Sequence, residues 1–215
     1  MGAFRTRIKV CGLTRPRDAA LAVAAGADAL GVVFADSPRC ISIDRAREVF
    51  SAVPLFVTRV GVFVDSGPEF VARAVTELGL HAVQFSGGED PWRCLSAPVP
   101  AIKALRVAGI VERSAMEIYR GKAAAILLDT HVPGKAGGTG VPFDWHAVAP
   151  LPDWAPTIVA GGLNAGNVGA AIAALNPYAV DVSSGVEFEP GIKDAVRLVE
   201  FCSAVREADR EVYRS

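Results

Sequence analysis

Two residues, Cys11 and Asp129, have the chemistry to divide acid–base work between them. A thiolate can take a proton from carbon, and a carboxylic acid can donate one. Cys11 stands in Lys9-Val10-Cys11-Gly12-Leu13-Thr14, where an apolar run meets a cysteine, a glycine and a threonine suited to capping a helix. Asp129 ends the apolar run Ala125-Ile126-Leu127-Leu128. A carboxylate there must find a partner or a wet cavity mouth. Arg39, in Asp36-Ser37-Pro38-Arg39, can offer a two-pronged guanidinium to a substrate carboxylate. Ala160-Gly161-Gly162 and Ser183-Ser184-Gly185 are glycine-rich ends that let backbone N–H groups approach a phosphate. Each residue also has a plainer reading. A free cysteine is commonly a small buried hydrophobe. Asp129 can cap a loop, paired glycines can make tight turns, and a lone arginine is usually a surface residue.

These residues share a position in the chain: each follows a strand. The repeating unit is a short apolar run, a glycine-rich or polar turn, an amphipathic segment, then Gly or Pro. Eight such units run through the 215 residues. The strands are expected at Arg7–Cys11, Ala29–Phe34, Arg59–Phe63, Ala82–Phe85, Ala101–Leu105, Ala124–Asp129, Thr157–Ala160 and Ala179–Val182. Runs such as Leu30-Gly31-Val32-Val33-Phe34 are apolar throughout, as parallel strands covered on both faces are. Helix signals lie between them. Thr14 and Pro16 open the first helix and Gly26 ends it. Ser66-Gly67-Pro68-Glu69 has the spacing of a capping box, with Gly79 as the stop. Asp90-Pro91 and Asp144 mark further starts, and Asn164 opens a helix that Asn176-Pro177 stops. Short helices are expected near 112–119 and 144–148. In the last helix Ile192, Val196, Val199 and Val205 fall near a 3.6-residue period.

Eight βα units without a compositional break point to one closed (β/α)8 barrel over residues 1–215. Closure sets the eighth strand beside the first. Lys9, two residues before Cys11, then faces the interior and is expected to pair with Asp181. The glycines after strands seven and eight fall where such barrels hold phosphate.

Bulk composition excludes several classes. With 22 basic and 23 acidic side chains the net charge is -1, which gives no long-range pull toward nucleic acid or an anionic membrane. No apolar run reaches the roughly 20 residues of a membrane span. The four cysteines form no CxxC pair, and no His/Cys cluster has zinc spacing. Free thiols and the lack of a signal-peptide pattern fit a cytoplasmic protein. Cys40, Cys94 and Cys202 read as structural thiols, and His81, His131 and His146 as scattered loop or surface residues.

The ordered set of motifs resembles the phosphoribosylanthranilate isomerase family of tryptophan biosynthesis. It comprises Lys9 to Thr14, Gly26-Ala27-Asp28, Ser37-Pro38-Arg39, Gly61-Val62-Phe63-Val64, Leu128-Asp129, Gly137-Gly138-Thr139-Gly140 with Phe143-Asp144-Trp145, Ala160-Gly161-Gly162-Leu163 with Asn167-Val168, and Asp181 to Glu187. The resemblance implies a barrel of the ribulose-phosphate-binding type, no cofactor and no metal, and a small phosphosugar substrate. It implies an Amadori rearrangement of N-(5-phosphoribosyl)anthranilate. Asp129 would be the acid that opens the ribose ring and Cys11 the base that removes the C2′ proton. Arg39 would hold the anthranilate carboxylate. Gly161, Gly162, Ser184 and Gly185 would hold the phosphate, and Asp181 would lie near the ribose hydroxyls. These roles need Cys11 deprotonated and Asp129 protonated, against ordinary values of about 8.5 and 3.9. The site must perturb both. One segment departs from the family: Val83-Gln84-Phe85-Ser86-Gly87 stands where Val-Gln-Leu-His-Gly is usual. Ser86 leaves room for a related phosphosugar isomerase with an altered or second substrate. A phosphosugar-binding barrel without catalysis is the other alternative, and a monomer or a homodimer fits either.

Overall fold

The computed structural model describes residues 5–107, 113–129 and 150–212. Its core is a closed barrel of eight parallel strands: β1 (Arg7–Val10), β2 (Ala29–Val33), β3 (Thr58–Phe63), β4 (Ala82–Phe85), β5 (Ala101–Arg106), β6 (Ala125–Asp129), β7 (Thr157–Ala160) and β8 (Ala179–Val182). Closure is made by β1 against β8, with Lys9 opposite Asp181. A short antiparallel hairpin, β9 (Glu187–Glu189) and β10 (Ile192–Lys193), follows β8.

Side chains alternate along a strand, and that alternation builds two cores. The inward positions Val60, Ala82, Ile102, Ala125, Leu127, Ile158, Ala160 and Ala179 pack together in the barrel. The outward positions, including Ile8, Leu30, Ile126, Leu128 and Val180, pack under the helices. Those helices are α1 (Pro16–Ala25), α2 (Ile43–Ser51), α3 (Pro68–Leu78), α4 (Pro91–Leu95), α5 (Arg113–Glu117), α6 (Val168–Leu175) and α7 (Ala195–Val212). Gly26, Gly79 and Asn176 end α1, α3 and α6 in the left-handed conformation, as the stop signals imply.

Several helix starts differ from the sequence reading. Thr14 does not cap α1; its hydroxyl donates to the Gly191 carbonyl at 2.6 Å, and Arg15 holds the capping position. Gly67, not Ser66, precedes α3, and no side chain caps it. Asn164 caps a turn, accepting from Gly166 N at 2.8 Å, and α6 begins after Asn167. Asp90 does cap α4, accepting from Arg93 N at 3.0 Å. In α7 the buried stripe is Leu198, Phe201, Cys202, Val205 and Ala208, whereas Val196 and Val199 face solvent. Asp144, the helix expected at 144–148 and the Gly137–Gly140 run lie outside the described residues.

The loop after β4 is held from beneath by an ion pair. Lys103, on the outward face of β5, donates to Glu89 Oε2 at 2.8 Å and to the Gly87 carbonyl at 2.7 Å. Glu89 also accepts from Asp65 N and Gly87 N, so one carboxylate ties the loops after β3 and β4 to β5. Both side chains are buried. Burial raises the Glu89 pKa, but Lys103 and the backbone donors more than offset it and hold the carboxyl below the usual range. Removing one partner strands the other charge in a dry setting. Lys103→Met is therefore expected to lose about 3–5 kcal/mol of unfolding free energy, read by urea denaturation at neutral pH. A loss under about 1 kcal/mol would show the pair to be dispensable.

Candidate active site

The inward alternation continues past the strand ends and delivers the site. Ala125, Leu127 and Asp129 share one face of β6. Ile102, Ala104 and Arg106 share one face of β5, and Ala179, Asp181 and Ser183 do the same along β8. At the carboxyl ends these positions line a cavity of about 540 Å³. Its walls include Cys11, Arg39, Gln84, Ser86, Arg106, Asp129, Gly161, Gly162, Asp181, Ser183 and Ser184.

Cys11 is buried and its amide donates to the Val182 carbonyl at 2.8 Å, extending the β1–β8 seam by one residue. Two glycines make its space. A Cβ on Gly31 would lie 2.9 Å from Cys11 Sγ and 3.3 Å from Lys9 Nζ. Gly12 has φ +73°, and a Cβ there would meet Arg39 Cδ at 2.4 Å. Either substitution would push on the residues the site needs in place.

The expected pair of Lys9 and Asp181 is present. Lys9 Nζ donates to Asp181 Oδ1 at 2.9 Å, with both side chains buried. The Lys9 ammonium also acts on the Cys11 thiol beside it. Burial pulls the Lys9 ammonium down, but Asp181 and Cys11 carry it above the usual lysine value. Burial raises the Asp181 carboxyl, with Lys9 pulling against it. Burial likewise pushes the Cys11 thiol up; Lys9 and Lys193 oppose the rise and Asp181 adds to it. On balance the Cys11 thiol sits above the ordinary cysteine value, so the work of a base asks for further positive charge beside it.

Arg39 reaches the cavity from the β2–α2 loop and is already half engaged. Its Nε donates to Glu187 Oε1 at 2.8 Å and its Nη2 to Glu187 Oε2 at 2.6 Å. That contact uses one edge of the guanidinium. Nη1 and the second Nη2 proton form the other edge, which can grip a further carboxylate. Gly161 and Gly162 turn the chain out of β7 with φ values of +94° and +64°. The Asn167 and Asn164 side-chain amides hold the Gly162 carbonyl at 3.0 and 3.4 Å. Ser184 starts a single 3-10 turn, and Gly185 is its middle residue. Gly185 is not on the cavity wall; a Cβ there would sit 1.9 Å from the Leu163 carbonyl oxygen, so its smallness lets the two loops meet.

Sequence reasoning missed Arg106, Lys193 and the inward role of Gln84. Gln84 donates to Ser86 Oγ at 3.1 Å, and its Oε1 has no hydrogen-bond partner among the described residues. Arg106 lies opposite Asp129 in the β5–β6 register. Of the three histidines only His81 is described; it is exposed, and its Nδ1 accepts from Arg59 N. Among the described residues no group of three or more His, Cys, Asp or Glu could hold a metal ion. None of the described helices is long and apolar enough to cross a membrane.

Comparison with known proteins fits this geometry. The sequence model of the family described as N-(5'phosphoribosyl)anthranilate (PRA) isomerase matches residues 8–204. The chain is 49% identical over 209 residues to the N-(5'-phosphoribosyl)anthranilate isomerase of Pseudomonas aeruginosa strain LESB58, covering 95% of this chain and 97% of that one. It is similar to the crystal structure of phosphoribosyl anthranilate isomerase from Thermotoga maritima, with a TM-score of 0.85, 40% identity, and 94% and 99% of the two chains covered. A crystal structure of phosphoribosyl anthranilate isomerase bound to reduced 1-(o-carboxyphenylamino)-1-deoxyribulose 5-phosphate matches with a TM-score of 0.81 and 38% identity over 94% and 99% of the two chains. With a barrel of the same topology and a match spanning nearly all its length, the chain belongs to the phosphoribosylanthranilate isomerase family.

Proposed function

We propose that the chain converts N-(5-phosphoribosyl)anthranilate to 1-(2-carboxyphenylamino)-1-deoxyribulose 5-phosphate, with Asp129 as acid and Cys11 as base. The observation that carries these roles is that both side chains line one cavity, with Arg39 and the Gly161-Gly162 and Ser184 loops on the same walls. Asp129 gives its proton to the ribose ring oxygen while the anthranilate nitrogen pushes, so the ring C–O bond breaks and a cationic Schiff base forms. Its positive charge draws the Cys11 pKa down as the reaction proceeds. The Cys11 thiolate then removes the C2′ proton, giving an enol that tautomerises to the ketone. The outer edge of Arg39 takes the anthranilate carboxylate. Gly161, Gly162 and Ser184 hold the phosphate, with Gly185 closing the two phosphate loops together. Asp181, shared with Lys9, lies toward the ribose hydroxyls.

The whole chain, 1–215, acts in this reading as one catalytic barrel, in the cytoplasm, as a monomer or a homodimer. Its free cysteines suit a reducing compartment. Leu55 and Phe56 are 80% and 95% exposed, apolar surface that a homodimer contact would cover. Ser86 in the cavity wall keeps an altered or second phosphosugar substrate as the alternative.

The test is turnover of phosphoribosylanthranilate by the purified protein, followed as loss of anthranilate fluorescence, beside binding of a reduced product analogue. Turnover is the expected result. Tight analogue binding with no turnover would favour the binding barrel. Faster turnover of another aminoaldose phosphate would favour the altered substrate.

A further inference from the structure

The hairpin after β8 sends one side chain under the site. Lys193, on β10, is fully buried. A buried ammonium needs three acceptors, and Lys193 has three. Its Nζ donates to the Cys11 carbonyl at 2.6 Å, to Glu187 Oε1 at 2.8 Å and to the Ser183 carbonyl at 3.2 Å. Its backbone N–H donates to Asp18 Oδ2 at 3.0 Å, which fixes the hairpin to the first turn of α1. Glu187 in turn grips Arg39 through two bonds and accepts from Gly191 N at 3.3 Å.

The charges in this group do not cancel. Arg39 and Lys193 are positive and Glu187 is negative, so one positive unit remains beside Cys11. Lys9 and Asp181 cancel each other. Asp129 and Arg106 face the same cavity from β6 and β5. An anion arriving at the cavity, whether a substrate carboxylate or the thiolate of Cys11, meets that surplus in a dry setting where it counts for more than in water.

We propose that Lys193 is a positioning residue for the isomerisation: it clamps the Cys11 and Ser183 carbonyls and, through Glu187, the Arg39 guanidinium into one positively charged unit. This rests on the reading of Cys11 as the base. The clamp joins three parts of the site that come from distant stretches of chain, namely the base, the mouth of the phosphate loop and the carboxylate fork. A shift of about 1 Å between reacting groups can cost about a hundredfold in rate. The charge of Lys193 also works against the burial that raises the Cys11 thiol.

Lys193→Gln keeps hydrogen-bond donors for the two carbonyls and removes the charge; Lys193→Met removes both. The thiolate absorbance of Cys11, taken as the difference from Cys11→Ala, is titrated in each, beside kcat, KM and melting temperature. In Lys193→Gln the Cys11 midpoint is expected to rise by about one pH unit. The value of kcat/KM at neutral pH falls at least tenfold, mostly in kcat, and raising the pH restores part of it. Lys193→Met is expected to fall about a hundredfold, because the clamp geometry goes as well. If Lys193→Met fails to fold, Lys193→Gln decides alone. A folded Lys193→Gln with an unmoved Cys11 midpoint and near-normal kcat would overturn the proposal. So would a Lys193→Gln that does not fold, since Lys193 would then be a core residue and nothing more. The titration reads the Cys11 charge without turnover. An active Cys11→Ala would therefore overturn the base assignment, while the titration still judged the charge effect of Lys193.

Discussion

Cys11→Ala is expected to lower kcat for phosphoribosylanthranilate by about 10²–10⁴-fold, the range a positioned general base supplies. Among the described residues, the other carboxylate close to Cys11, Asp181, is engaged with Lys9 and is a poor substitute base. The small side chain of alanine leaves the seam intact, since the Cys11 contacts with Val182 and Lys193 are made by backbone atoms. Binding of a product analogue should change little. The pH dependence follows from the direction of the thiol shift. Burial raises the Cys11 pKa above the ordinary cysteine value. A base works only when deprotonated, so wild-type kcat/KM should climb with pH from neutrality upward and level off above that ordinary value of about 8.5. This alkaline rise should be missing from the residual activity of Cys11→Ala. A wild type with a flat profile between about pH 6 and 9, or a variant within tenfold of wild type, would remove Cys11 from the role of base.

The strands were legible because their physics is local. All eight lie within a residue at each end of their expected spans, since a parallel strand covered on both faces is an apolar run bounded by turn residues. The Lys9–Asp181 pair was legible too, from alternation and closure alone. The helix starts were less so. Thr14, Ser66 and Asn164 all have capping chemistry, yet Thr14 spends its hydroxyl on the distant Gly191 carbonyl, which only the folded chain brings near, while Ser66 and Asn164 bond backbone groups two residues away within their own turns. Lys193 was hidden for a related reason. Ile192 fits the helical period of the segment after it, and nothing local says that two residues there pair with Glu187 and Glu189 instead. Arg106 carries a signal of its own in the sequence. Counted inward from Ile102 in steps of two, it falls on the cavity face as Asp129 does from Ala125.

Asp129→Asn is the complementary variant, with an expected loss in kcat of about 10²–10⁴-fold. Asparagine keeps the shape and the hydrogen-bonding reach of the carboxyl group but has no acidic proton to give. Ring opening must then proceed without protonation of the departing ring oxygen, which would leave it as an alkoxide. That contact strengthens only as the C–O bond breaks, so the loss belongs in kcat, with KM and product-analogue affinity close to wild type. This split separates catalysis from binding. The β6 strand holds residue 129 by backbone pairing with β7 and by the bond from Val107 N to its carbonyl at 2.8 Å, both of which the substitution leaves in place. A variant that loses analogue binding as strongly as turnover would make Asp129 a binding residue. A variant that keeps turnover would remove Asp129 from the role of acid. The pair of variants then decides between an enzyme and a binding barrel. Two losses confined to kcat place the chemistry on Cys11 and Asp129, whereas two silent substitutions in a protein that binds the analogue mean that the cavity holds its ligand without turning it over.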